Sequence, residues 1–337
     1  MSDDVLLDVR DVRVDFDLPH GVLHAVDGAS FEVHAGEALG IVGESGSGKT
    51  MALRALVGLL PRAAKLAGGS VVFEGTDLAS AQPETLREIR GRAISMIFQE
   101  PMTALNPVMR VGEQIGEGPL VRLGYSRHRA AERALELMRL VGIADPEERA
   151  NAYAHELSGG MRQRVMIAIA LSMEPKLVLC DEPTTALDVT IQDQILKLLA
   201  SLREQLQVSI VFVSHDLAVI AQTCQRVAVM YAGQVVETGP VETVFREPRH
   251  PYTLGLLRSV PDVDDVRDVL STIPGAPPDL ADPPSGCRFH PRCSFAQRDC
   301  VEGAFPLRPL GSGRATACIH HELAAADVLR EPVIAGG

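Results

Sequence analysis

One octapeptide constrains this chain more than any other feature: Gly43-Glu44-Ser45-Gly46-Ser47-Gly48-Lys49-Thr50. It follows the apolar run Ala38-Leu39-Gly40-Ile41-Val42, which predicts a buried strand, and precedes Met51-Ala52-Leu53-Arg54-Ala55-Leu56, which predicts a helix. A glycine-rich turn between strand and helix gathers backbone N–H groups at a helix N-terminus, and such a turn binds phosphate. Lys49 is placed to reach the terminal phosphates of a nucleoside triphosphate, and the Thr50 hydroxyl to sit on Mg²⁺. The expected fold is therefore α/β with a nucleotide at the end of a parallel sheet.

A second apolar run, Lys176-Leu177-Val178-Leu179-Cys180-Asp181-Glu182-Pro183, ends in two carboxylates. Open parallel sheets place ligands at the carboxyl ends of their strands. Asp181 suits a Mg²⁺ role, direct or through water, and Glu182 suits polarising an attacking water. Cys180 reads as a small apolar core residue. Between the two runs stands Leu157-Ser158-Gly159-Gly160-Met161-Arg162-Gln163-Arg164, a glycine-rich helix start that can grip the same nucleotide from the opposite side.

The order of these features, with three more, resembles the ATP-binding subunit of ABC transporters. Ser158, Gly159 and Gly160 match that family's signature, with Met161 where Gln is usual. Gln99 matches the Q-loop, which contacts Mg²⁺ and water and senses the membrane subunits. Ala186-Leu187-Asp188 matches the D-loop, and His215, after Ile210-Val211-Phe212-Val213, matches the switch histidine. Phe16 stands where an aromatic stacks on adenine, although Tyr is usual there, and a core role is the alternative. The resemblance implies a P-loop NTPase fold of ABC type: parallel-sheet core, antiparallel β subdomain, and helical subdomain over about 101–160. It also implies Gly43 to Thr50 as the nucleotide loop, with Thr50, Gln99 and Asp181 toward Mg²⁺ and Glu182, His215 and Gln99 as catalytic residues. In the family the working unit is a dimer, and Ser158 of one subunit completes the partner's site.

Composition agrees. The chain has 337 residues, 46% hydrophobic, with a net charge of −12. An acidic balance argues against a general nucleic-acid binder, whose phosphate contacts need a basic surface. There is no apolar run of eighteen residues, so no transmembrane helix is expected. Met1-Ser2-Asp3-Asp4 lacks a signal peptide's basic start. The expected location is peripheral, on the cytoplasmic face of the cell membrane.

The tail resembles one subfamily. His250-Pro251-Tyr252-Thr253 followed by Cys287-Arg288-Phe289-His290-Pro291-Arg292-Cys293 is similar to the carboxyl-terminal region of dipeptide and oligopeptide importer ATPases. A cassette over 1–245 and a cysteine-containing extension over 246–337 are expected. The subfamily implies a second, related but non-identical ATP-binding chain, two transmembrane permease subunits and an extracytoplasmic solute-binding protein. Its cargo is peptide, with nickel or another small solute as the alternative. A soluble, non-transport cassette ATPase is the reading from another class, but such proteins usually carry two cassettes or a long coiled-coil insertion. Cys287, Cys293, Cys300 and Cys318 lack the paired spacing of common zinc ribbons. Three states stay open for them: a 4Fe-4S cluster, as some members of the subfamily carry, zinc, or uncoordinated thiols.

Overall fold

The computed structural model describes residues 5–19, 21–185, 187–260 and 272–330, the side chains of 328–330 excepted. The acidic amino terminus and Ala186 of the D-loop lie outside the described residues. In chain order the elements are β1 (Val5–Leu18), β2 (Gly21–His34), β3 (Ala38–Val42), α1 (Lys49–Leu56), β4 (Ala64–Phe73) and β5 (Thr76–Asp77). Next come α2 (Pro83–Ile89), β6 (Ile94–Ile97), α3 (Pro101–Ala104), α4 (Val111–Arg122), α5 (Arg127–Leu140), α6 (Pro146–Arg149) and α7 (Gly159–Leu171). They are followed by β7 (Leu177–Asp181), α8 (Val189–Leu206), β8 (Ser209–Ser214), α9 (Leu217–Thr223), β9 (Arg226–Tyr231) and β10 (Gln234–Pro240). The tail holds α10 (Val241–Arg246), α11 (Pro251–Arg258), β11 (Arg308–Gly311), β12 (Arg314–Thr316) and α12 (His321–Arg330).

These elements form two compact units. One comprises Val5–Val33, Ala38–Ser80 and the chain from Val213 onward. In it β2, β1, β4 and β5 form one sheet, and β1 runs antiparallel to β4 from Leu7 opposite Phe73 to Phe16 opposite Ala64. The order β11-β12-β10-β9-β3 follows in another, where β3 and β9 are parallel, with Leu39 opposite Arg226 and Val42 opposite Val229. All five residues of β3 are buried. A strand buried on both faces reads as a continuous apolar run rather than an alternating one, as the sequence does here.

The other unit comprises His34–Glu37 and Ala81–Phe212. Its β6 and β7 are parallel, with Ile94 opposite Leu177 and Ile97 opposite Cys180. Apolar spacing predicts helices from Val111 to Leu123 and from His128 to Val141, and α4 and α5 fall within one residue of those spans; the Ser126 hydroxyl caps α5 by accepting from the Arg129 N–H at 3.1 Å. Apolar spacing predicts a helix from Thr190 to Leu206 with Ile191, Ile195, Leu198, Leu199, Leu202 and Leu206 on one face, and α8 departs from that in part. Its buried face is Ile195, Leu196, Leu199 and Leu202, whereas Leu206 is exposed. Leu206 ends the helix just before Gln207 turns left-handed, so the last turn no longer presents the same face.

Candidate nucleotide site and cysteine tail

The phosphate loop leaves the end of β3 through backbone that only glycine fits. A Cβ on Gly43 would lie 2.1 Å from the Met230 carbonyl oxygen. On Gly48, at φ +97°, it would lie 2.3 Å from that of Ala25. Lys49, buried at the start of α1, donates from Nζ to the carbonyls of Gly43 at 2.7 Å and Glu44 at 2.9 Å. Ser45 and Gly46 form the exposed tip. The Ser47 hydroxyl is buried with no hydrogen-bond partner among the described residues. A buried orphan hydroxyl in a glycine cradle beside an ammonium fits an anion such as a phosphate group.

In the other unit β7 delivers its two carboxylates in different states. Asp181 is fully buried at the strand end, while Glu182 is half-buried and left-handed at φ +46°. That conformation is strained for a residue other than glycine and is typical of functional turns. The Glu182 Oε2 accepts from the Thr185 hydroxyl at 2.8 Å and from Gln99 Nε2 at 3.4 Å. Gln99 follows β6, so adjacent parallel strands bring the Q-loop glutamine and the second acid together. Thr185 carried no sequence signal beyond lying three residues after Glu182.

The signature also stands in this unit. Ser158 is the N-cap of α7, its hydroxyl accepting from the Met161 N–H at 3.3 Å. Ser158 and Gly159 are exposed, and Gly160 is packed so that a Cβ would meet Ile191 Cγ2 at 2.8 Å. The first N–H groups of α7 thus face solvent, where the helix dipole favours an anion. Asp188 of the D-loop caps α8 through the Ile191 N–H. In the first unit, His215 is exposed just past β8, and Phe16 is half-buried on β1.

The four tail cysteines line one small cavity of about 20 Å³ together with His250, Phe289 and His320. Burial raises the thiol of Cys287, pushes that of Cys293 up to about 11 and that of Cys318 up to about 12, and the neighbouring thiolates add to each. Among the described residues, the group of three donor atoms lying within 4.8 Å of one another is Asp299, Cys300 and His320. Four thiolates on one zinc stand about 3.8 Å apart, from Zn–S bonds of about 2.3 Å in a tetrahedron. The cysteines share a cavity, but among the described residues no three of them bring their sulfur atoms within 4.8 Å of one another. His320, which stands two residues after Cys318, lies among them.

Sequence reasoning also missed an aromatic and charged cluster behind the cavity. Phe289 packs on Tyr231 and Tyr252 with ring centroids 5.2 and 5.4 Å away. His250 caps α11 through the Tyr252 N–H, and burial lowers its pKa to about 3. Arg292 forks onto both oxygens of Glu44, at 2.7 and 3.0 Å. The Cys-x-Phe-x-Pro-Arg-Cys pattern was the available signal, but residue types alone do not name a partner 248 positions away.

Comparisons with known proteins bear on these features. A family model described as "ABC transporter" matches residues 26–185, and one described as "Oligopeptide/dipeptide transporter, C-terminal region" matches residues 236–300. A probable peptide ABC transporter ATP-binding protein of Sinorhizobium fredii is 50% identical over 317 residues, 94% of this chain and 95% of that protein. An oligopeptide transport ATP-binding protein of Bacillus subtilis is 50% identical over 304 residues, 90% of this chain and 85% of the relative. Among solved structures, a dimeric ATP-binding cassette in a post-hydrolysis state with ADP and Pi superposes with a TM-score of 0.63 at 27% identity. That match covers 70% of this chain and 98% of the cassette.

Proposed function

Because this chain belongs to the family of ABC transporter ATP-binding proteins, we propose that it hydrolyses ATP to power import of dipeptides or oligopeptides across the cell membrane. The observation that carries the cargo is the tail: the chain matches the oligopeptide/dipeptide transporter region as well as the cassette. ATP binds through the N–H groups of Gly43 to Thr50, with Lys49 on the terminal phosphates. Thr50, Asp181 and Gln99 are the residues for Mg²⁺, which neutralises phosphate charge. Glu182 orients and deprotonates the attacking water, its carboxylate aimed by Thr185 and Gln99. His215 contacts the γ-phosphate and Phe16 the adenine. Ser158, Gly159 and Gly160 serve the site of a second, related ATP-binding chain.

Two permease subunits and an extracytoplasmic binding protein complete the importer, and this subunit sits peripherally on the cytoplasmic face. No helix among the described residues is long and apolar enough to cross a membrane. A groove of about 620 Å³ lined by α4 and α5, with Leu120 and Val121 on its rim, supports permease docking on the helical unit. Val121 is 68% exposed there, an apolar surface consistent with a partner.

The four half-buried tail thiols share one cavity, and the proposal that they hold an iron–sulfur cluster rests on that grouping and on the lack of the paired spacing of zinc ribbons. Cys287, Cys293, Cys300 and Cys318 would hold it as thiolates, and it would cross-link the tail. Iron and acid-labile sulfide near four per chain, lost in Cys293→Ser, is the expected content; stoichiometric zinc would overturn the cluster.

The test of the function is uptake of a labelled oligopeptide into vesicles holding the whole importer. Uptake should require ATP on the side of this subunit and vanish in Lys49→Ala. Undiminished uptake in that variant, or uptake of Ni²⁺ but no peptide, would overturn the reading.

A further inference from the structure

The phosphate loop is gripped from outside by the segment between Cys287 and Cys293. Arg292, 5% exposed, pairs through both guanidinium Nη atoms with the two oxygens of Glu44, the second residue of the loop. The remaining Arg292 donors are used up on Pro274 and Ile273 carbonyls and the Tyr231 hydroxyl, so its position is fixed by five bonds. The Tyr252 hydroxyl accepts the Glu44 N–H at 2.8 Å. Four residues earlier, Arg288 pairs with Asp27 and donates to the Ala232 carbonyl, and the next residue, Gly233, donates its N–H to the Ser47 carbonyl at 3.0 Å. Both ends of the loop are thus tied to one seven-residue stretch of tail.

Glu44 is an awkward residue for its place. A carboxylate in a loop built for anions repels the phosphates it should receive, by like charge at short range. Its carbonyl, with that of Gly43, is what holds the Lys49 ammonium. Any shift of Glu44 therefore moves the one cation of the loop. A bidentate arginine answers both problems, because it cancels the charge and fixes the geometry at once.

We propose that Arg292 is a positioning residue for nucleotide binding: through Glu44 it neutralises the loop's own carboxylate and sets the carbonyls that hold Lys49. This rests on the reading of Gly43 to Thr50 as the nucleotide site. It makes the cysteine segment part of the ATP machinery, and the two cysteines that flank it the ends of the clamp.

The test is calorimetric titration of MgADP into the full chain, with melting recorded without nucleotide to show that each variant is folded. Arg292→Ala should weaken binding by about tenfold, the scale of one lost charge-assisted hydrogen bond. Arg292→Lys should fall between, since it keeps the charge and loses the fork. Adding Glu44→Gln to Arg292→Ala should restore at least about threefold, because the unpaired carboxylate is then gone. A purely structural role lowers the melting temperature without any such recovery. Folded Arg292→Ala with affinity within about twofold of wild type would overturn the proposal; if that variant does not fold, unchanged affinity in Arg292→Lys does so. Wild-type protein that fails to bind MgADP would instead overturn the nucleotide site itself.

Discussion

The phosphate-loop strand and the cysteine tail belong to one compact unit and are held by opposite means. Strand β3 is five buried residues hydrogen-bonded along β9, and no charged side chain takes part in it. Between Pro274 and His320 the tail has two single 3₁₀ turns and strands of four and three residues, with Phe289 and Ala317 its buried apolar side chains. Its anchors are polar. Arg288, Arg292 and Arg314 are buried, and Arg314 pairs with fully buried Glu237 at 3.3 Å. Apolar burial stabilises without direction, whereas buried ion pairs return little net stability and lose much when one partner goes. The strand therefore supplies stability and the tail supplies placement.

That contrast can be broken at the larger of these apolar side chains. Phe289→Ala removes the ring shared by Tyr231, Tyr252 and His250 and should cost about 3–5 kcal/mol in chemical denaturation. A loss below about 1 kcal/mol would mean that the arginines and cysteines hold the tail unaided.

His250 offers a gentler probe. Its folded pKa is depressed to about 3 by burial, so the unfolded chain takes up a proton first as pH falls. Its contribution is present above the ordinary value near 6.5 and is lost progressively from there toward pH 3. At pH 5 the loss amounts to about 2 kcal/mol. His250→Asn keeps a capping side chain for α11 and should flatten the stability profile between pH 6.5 and pH 5 by that amount; an unchanged profile would place the acid sensitivity elsewhere.

The smallest effect belongs to the strand-built half of the chemistry. Thr185→Ala removes one hydrogen bond to Glu182 and should lower kcat about fivefold, the worth of about 1 kcal/mol, with KM for ATP unchanged. A change confined to KM would show that Thr185 serves binding and not the aim of the carboxylate.

What was legible in the sequence follows the same division. Runs such as Ala38–Val42 and Leu177–Asp181 declare buried strands because their apolar residues are contiguous and bounded by turn or acidic residues. Helices α4 and α5 declare themselves by apolar spacing. Gln99 beside Glu182 was reachable only through family resemblance, because two separate strands bring them together. The partners of Arg292 and Arg288 were not legible at all. An arginine carries no periodicity, and its choice among 44 acidic residues is made by the folded backbone. The conformation of Glu182 was likewise invisible, since nothing in its residue type announces a left-handed turn.

The most direct measurement is single-turnover ATP hydrolysis by the assembled importer carrying Glu182→Gln. ATP should bind with near-wild-type affinity and persist uncleaved, turnover falling by about a hundredfold or more, as for loss of a general base. Turnover within a fewfold of wild type would contradict the assignment of Glu182 and, with it, the account of how this chain uses ATP.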